Sequence, residues 1–250
     1  MSAIAAVAIP GLPEVRRGDD LAALIATSTP EPLTGEDVVV IAHKIVSKAE
    51  GRIKALAETE PGPRALEFAA EHGKDPRQVQ VVLDESSQIL RASHGVLICI
   101  TRHGFVCANA GVDASNAPEP DTVVLLPLDP DSSARRIRAG IKDRTGVAPA
   151  VVITDSFGRA WRHGQCDVAI GCAGIAPLDD WRGRLDSAGR ELRATWIAIA
   201  DELAAAADLA RAKDARQPVV IVSGAGRHVI AEDGPGAAAM IRPEAEDLFR

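Results

Sequence analysis

AVVITDSFGRAWRHGQCD, residues 150–167, is the stretch on which the reading of the fold turns. Ala150 to Ile153 form an unbroken apolar run, the mark of a strand. That strand delivers Asp155 and Ser156 to its end, where α/β proteins place ligand groups. Arg159, Arg162 and His163 follow within two turns. A carboxylate and a hydroxyl beside clustered cations suit a hard metal ion clamping phosphates, because Mg²⁺ prefers oxygen ligands and shares its shell with phosphate oxygens. A strand terminus whose aspartate only caps the next turn gives the same pattern. The Asp-x-Asp of phosphatases with an aspartyl nucleophile is absent, since Phe157 stands where the second aspartate is needed.

Outward from this stretch, Val- and Ile-rich runs alternate with helical ones. SAIAAVAI, DVVVIAHKIV, GVLICIT, TVVLLPL, AVVITDS, DVAIGCAGIA and PVVIVSGAG read as strands ending at turn residues. GDDLAALIATS, SSARRIRAGIKDRTG (a serine cap and a closing glycine) and ATWIAIADELAAAADLARAK read as helices. The fold class is therefore α/β. The polar stretch from Glu58 to Arg77, with two prolines before it ends at Pro76-Arg77, is the expected mobile excursion. At 250 residues without a clear linker, the chain reads as one unit, 1–250, either one large domain or two intimate lobes.

Hydrophobic residues make up 46% and charged ones 25%, which excludes disorder and allows a sizeable core. Aromatics are only 3% and the net charge is -7, so a base-stacking or phosphate-tracking nucleic-acid surface is not expected. Cys99, Cys107, Cys166 and Cys172 form no CxxC and read as reduced thiols. The N-terminus has no basic region before its apolar stretch, and Asp201 and Glu202 interrupt the longest apolar helix. No signal peptide, no membrane span and a cytoplasmic location are the expectations.

Three further segments carry polar groups in suggestive places. ANAGVDASN, residues 108–116, sets Asp113 and Asn116 three apart after a tight turn, as a metal-binding or simply solvated loop would. AHKIVSKAEGR, residues 42–52, follows DVVVI and supplies His43, Lys44, Ser47, Lys48 and Arg52. Lys44 and Lys48 would share a helical face, as solvated or ligand-facing cations. IPGLPE, residues 9–14, is a loop made rigid by two prolines. Gly224-Ala225-Gly226 begins like a dinucleotide fingerprint, but Val229 replaces the third glycine, leaving a phosphate loop or a turn.

Taken in order, IPGLPEVRRGDD, DVVVIAHKIVSKAEGR, CANAGVDASN, VVITDSFGRAWRHGQ and IRPEAEDLFR resemble the coenzyme F-420:L-glutamate ligases across the whole chain. The resemblance implies an α/β fold of mixed sheets with flanking helices and a homodimeric assembly. It implies GTP-dependent ligation of L-glutamate to the terminal carboxylate of the dephospho-precursor F-420-0, through an acyl phosphate and with extension of a γ-linked tail. Mg²⁺ or Mn²⁺ is implied as cofactor, with K⁺ assisting. By position, Leu12, Pro13, Glu14, Val15, His43, Lys48 and Asn116 would contact GTP. Asp113, Asp155 and Ser156 would bind the divalent ions, and Lys48 and Arg159 would stabilise charge. His43 stands where the family commonly has serine or threonine; Ser156 and Cys166 each replace a threonine. No nitroreductase-like domain is expected after the ligase region. A metal-dependent phosphatase or phosphodiesterase, and a non-enzymatic nucleotide-binding module, are the alternatives the same loops allow.

Overall fold

A computed structural model describes residues 3–212 and 214–248; Ser2 of the first expected strand, Lys213 of the last expected helix, and Phe249 and Arg250 of the terminal motif lie outside them. In chain order the first elements are β1 (Ala5–Ala8), α1 (Leu21–Ser28), β2 (Val38–Ala42), α2 (His43–Ala49) and β3 (Ile53–Ala55). Next come α3 (Pro63–His72), α4 (Pro76–Asp84), β4 (Ser86–Ser93), β5 (Val96–Thr101), β6 (Val106–Ala108) and β7 (Thr122–Val124). The remainder is α5 (Pro130–Thr145), β8 (Ala150–Arg159), β9 (Arg162–Ala173), β10 (Asp179–Asp180), β11 (Trp196–Ile197), α6 (Ile199–Ala210) and β12 (Val219–Ser223).

The main sheet has the order β1-β12-β2-β8-β9, with only β2 and β8 parallel. The α/β expectation holds, in a mixed form with three smaller sheets beside the main one. Val38 to Ile41 are fully buried because both faces of the sheet are covered. Val39, Ile41, Val151 and Ile153 pack with Leu21 and Ile25 of α1 and Ile137 and Ile141 of α5. Val38, Val40, Val152, Val220 and Val222 pack with Ile199, Leu203 and Ala207 of α6 on the other face. Each such side chain contributes about 1.5–3 kcal/mol by leaving water. A third core joins α3, α4 and β5 through Ala65, Val79, Val82, Leu97 and Cys99.

Several local expectations are corrected. His43 to Val46 continue the apolar look of β2 but begin α2, since a short apolar run serves a strand or the inner face of a helix equally. The cap of α5 is Asp129, not a serine: its Oδ1 accepts from Ser132 N at 2.9 Å, which lets Pro130 occupy the first turn. Trp196 and Ile197 form a strand before α6 starts. The expected excursion at 58–77 is largely the helix α3 and the start of α4, anchored by Ala65 and Ala69. Packing alone requires glycine at Gly224: its φ is +85°, and a Cβ there would stand 1.9 Å from the Ala3 carbonyl oxygen. No helix among the described residues is long and apolar enough to cross a membrane.

Candidate functional site

The register that pairs Ala42 with Thr154 determines where the polar groups meet. Because β2 and β8 run parallel, the next residues, His43 and Asp155, emerge side by side at the carboxyl ends of the strands. His43 is 2% exposed, and its Nε2 lies 3.3 Å from Asp155 Oδ1. Its Nδ1 lies 3.3 Å from Ser47 Oγ, one turn along α2. Lys44 turns to the 108–116 loop, where its Nζ is 2.6 Å from Asp113 Oδ2 and donates to the carbonyl and hydroxyl of Ser115. Lys48 is buried and donates to Glu14 Oε1 at 2.5 Å. One short helix therefore holds three separate segments of chain. Its opposite face, Val46, Ala49 and Glu50, lines a cavity of about 650 Å³ between α1 and α5 that contains none of these groups.

Each of the three segments is shaped locally. In the 9–15 loop Val15 is buried and Leu12 packs partly against the core, which leaves Pro13 and Glu14 outward between them. Gly18 N donates to Ala49 O at 2.8 Å and ties this loop to the end of α2. In the second loop Asn109, Ala110 and Gly111 are all left-handed, and a Cβ on Gly111 would stand 2.7 Å from the side chain of Leu126. Asp113 then exchanges backbone hydrogen bonds with Val124. Burial alone would push the Asp113 carboxyl up, but the Lys44 ammonium and the Ser115 N–H hold it below the usual carboxylate range. Asn116, left-handed and exposed, follows directly after Ser115.

β8 does not end at Asp155; it runs to Arg159 and returns through Ala160 and Trp161 as β9. Successive side chains on a strand leave on opposite faces. Asp155 joins Val151 and Ile153 on the α2 face, while Thr154 and Ser156 go to the other. There both hydroxyls donate to Asp167, at 2.8 and 2.6 Å. Asp167 is 3% exposed and is paired with Arg211 from the end of α6. The structure thus brings together Glu14, His43, Lys48, Asp113 and Asp155. It does not bring the Ser156 hydroxyl to the Asp155 carboxylate. Nor does it bring Arg159, whose guanidinium donates to the carbonyls of His163 and Gly164 at the hairpin tip.

The donor set fits a divalent cation at Asp155. Its carboxylate is largely buried, and the nearby His43 Nε2 is buried without a hydrogen-bond partner. Asp113 would join after exchanging some of its contact with Lys44. Among the described residues no three His, Cys, Asp or Glu side chains converge as a ready-made cage, so part of the shell falls to substrate oxygens or water. Sulfur is poorly placed for chemistry: the cysteines are free, and burial pushes the Cys107 and Cys172 thiols up to about 12.

The profile of the F-420-0:gamma-glutamyl ligase family matches residues 11–224. The coenzyme F-420:L-glutamate ligase of Methanothermobacter thermautotrophicus is 44% identical over 251 residues, 99% of each chain. That of Methanopyrus kandleri is 47% identical over 239 residues, 95% of this chain and 94% of its own. That of Haloarcula marismortui is 42% identical over 250 residues, 97% of this chain and 94% of its own. With a match of this extent running through every segment that α2 gathers, the chain belongs to the F-420-0:gamma-glutamyl ligase family.

Proposed function

We propose that this protein joins L-glutamate to the terminal carboxylate of F-420-0 at the expense of GTP, forming a glutamyl amide in coenzyme F-420 biosynthesis. The observation that carries the reading is the convergence on α2 of the Glu14 loop, held by Lys48, the Asp113 loop, held by Lys44, and Asp155, which lies 3.3 Å from His43 Nε2. All the reactants are anionic. Two unit charges 4 Å apart repel by about 4 kcal/mol at an effective dielectric near 20, so cations must be concentrated where they meet.

In the first step a carboxylate oxygen of F-420-0 attacks the γ-phosphorus of GTP. The bond from that phosphorus to the β–γ bridging oxygen breaks, and GDP leaves. Lys48 and Lys44 would offset charge on the transferring group, Lys44 by exchanging its pairing with Asp113 for phosphate oxygen. The rigid 12–15 loop frames the nucleotide, and Asn116 adds an exposed amide beside it. A divalent ion held by Asp113 and Asp155 supplies neutralisation of the phosphate oxygens when bound. In the second step the glutamate amine attacks the acyl carbon, the carbon–oxygen bond to phosphate breaks, and the nitrogen loses a proton. Repetition on the new γ-carboxylate extends the tail, and a homodimer is the assembly we expect.

GDP and inorganic phosphate are expected in step with each amide formed. With oxygen-18 in the precursor carboxylate, one label should appear in the phosphate, read by mass spectrometry. GMP with pyrophosphate, or label in GMP, would overturn the mechanism. Phosphate release from a simple ester without amide formation would favour a phosphatase, and nucleotide binding without turnover a regulatory module.

A further inference from the structure

We propose that His43 is itself a metal ligand, and that with Asp155 it makes a mixed nitrogen–oxygen site favouring first-row transition ions over Mg²⁺. The inference rests on the reading of Asp155 as a divalent-cation ligand.

His43 is the first residue of α2 and almost wholly buried, so its ring is not held at the site by solvent. Nδ1 faces Ser47 Oγ, itself fully buried, which fixes the ring plane. Nε2 is left 3.3 Å from Asp155 Oδ1, yet the approach is not aligned as a hydrogen bond, and this nitrogen has no other partner. A buried polar nitrogen left so is destabilising, since it has given up water without gaining a partner. With Nδ1–H directed at Ser47, the Nε2 lone pair faces an anion and repels it. With the proton on Nε2, the donor misses the carboxylate. A cation taken by the Nε2 lone pair and the Asp155 oxygen removes that repulsion, with the Nδ1 proton kept on Ser47. The spacing agrees, since adjacent corners of an octahedron with bonds near 2.1 Å lie about 3 Å apart. In a metal-bound histidine the second nitrogen is usually fixed by a carboxylate, carbonyl or water; here the inner Ser47 hydroxyl takes that place.

The strand alternation strengthens the assignment. Ser156 sends its hydroxyl to Asp167 on the far face of the sheet, so the Asp155 face lacks that side-chain donor. His43 occupies the side on which it is missing. Imidazole nitrogen is a poor ligand for Mg²⁺ and a good one for Co²⁺ or Zn²⁺, with Mn²⁺ the weakest binder of the transition series. This residue therefore sets metal preference as well as affinity.

The test uses the full chain with metal alone. Mn²⁺-loaded wild type should show, by pulsed electron paramagnetic resonance, a directly coordinated nitrogen whose signal changes when histidine is labelled with nitrogen-15. That signal should vanish in His43→Gln, His43→Ser and Asp155→Asn, each checked for an unchanged circular dichroism spectrum. By calorimetry, the preference for Co²⁺ over Mg²⁺ should fall at least about tenfold in both His43 variants. Mn²⁺ bound to the wild type without nitrogen coupling, or coupling that survives in both His43 variants, overturns the assignment while leaving the metal reading intact. Failure of the wild type to bind either Mn²⁺ or Co²⁺ overturns both.

Discussion

Asp155→Asn is expected to fold normally and to lose at least about 100-fold in turnover, since removing one electrostatic clamp on a charged transition state costs about 3 kcal/mol. The amide keeps the shape of the carboxylate and its contact with the Ser156 N–H, so the strand should be undisturbed. What disappears is the negative charge of Asp155 on the α2 face at the carboxyl ends of β2 and β8. Asp113→Asn should cost a similar factor, with an added effect. Lys44 would lose its ion pair and the 113–116 loop one of its anchors, so the KM for GTP should rise as well. Steady-state kinetics at saturating Mn²⁺, together with circular dichroism, make the check. Near-wild-type turnover in either variant would remove that aspartate from the site.

The second large effect is on stability. Asp167→Asn should destabilise the fold by about 3–5 kcal/mol, the usual cost of breaking a buried ion pair from one side. It leaves the Arg211 guanidinium buried with the Thr154 hydroxyl, the Pro218 carbonyl at 3.4 Å and the Asp208 carboxylate at 3.9 Å, without its close carboxylate partner. For a chain of this size the melting midpoint should fall by on the order of 10 °C. Replacing both members, Asp167→Leu with Arg211→Met, should recover part of the loss, because the uncompensated charge goes with them. A midpoint within about 2 °C of wild type for the single variant would mean that the pair is already solvated. Since Thr154 and Ser156 flank Asp155 and both donate to Asp167, a fall in kcat at temperatures where the variant is still folded would show that the network also positions the acid.

The central strands were legible because burial on both faces writes unbroken Val and Ile runs into them, Val38 to Ile41 in β2 and Val151 to Ile153 in β8. Asp155 stood out for the same reason, as the first charge after such a run. The network behind it was not legible. Asp167 meets Ser156 only once β9 folds back with an irregularity between the Ile153 and Thr154 pairs, and Arg211 arrives from another element altogether. The side of Ser156 was readable in principle, since neighbours on a strand face opposite ways, but that needs β8 to continue past Asp155. His43 and the two lysines were visible as donors. Which acid each one meets depends on contacts across 34 to over 100 residues, and no local pattern encodes those partners.

The strand order has a consequence for how the protein is made. β12 lies between β1 and β2, so the sheet lacks an inner strand until residues 219–223 have left the ribosome. Synthesis at about 5–20 residues per second leaves the Val38–Ala42 edge bare for roughly ten seconds or more, apolar and free to pair with another nascent chain. Chains released at residue 215 should accordingly pellet and be digested quickly, whereas the full chain stays in the supernatant. A truncated chain that melted cooperatively would show that β2 finds cover elsewhere. In the cell such vectorial exposure should make the nascent chain a substrate for chaperones that shield strand edges, and slower translation between residues 42 and 219 should lower its yield.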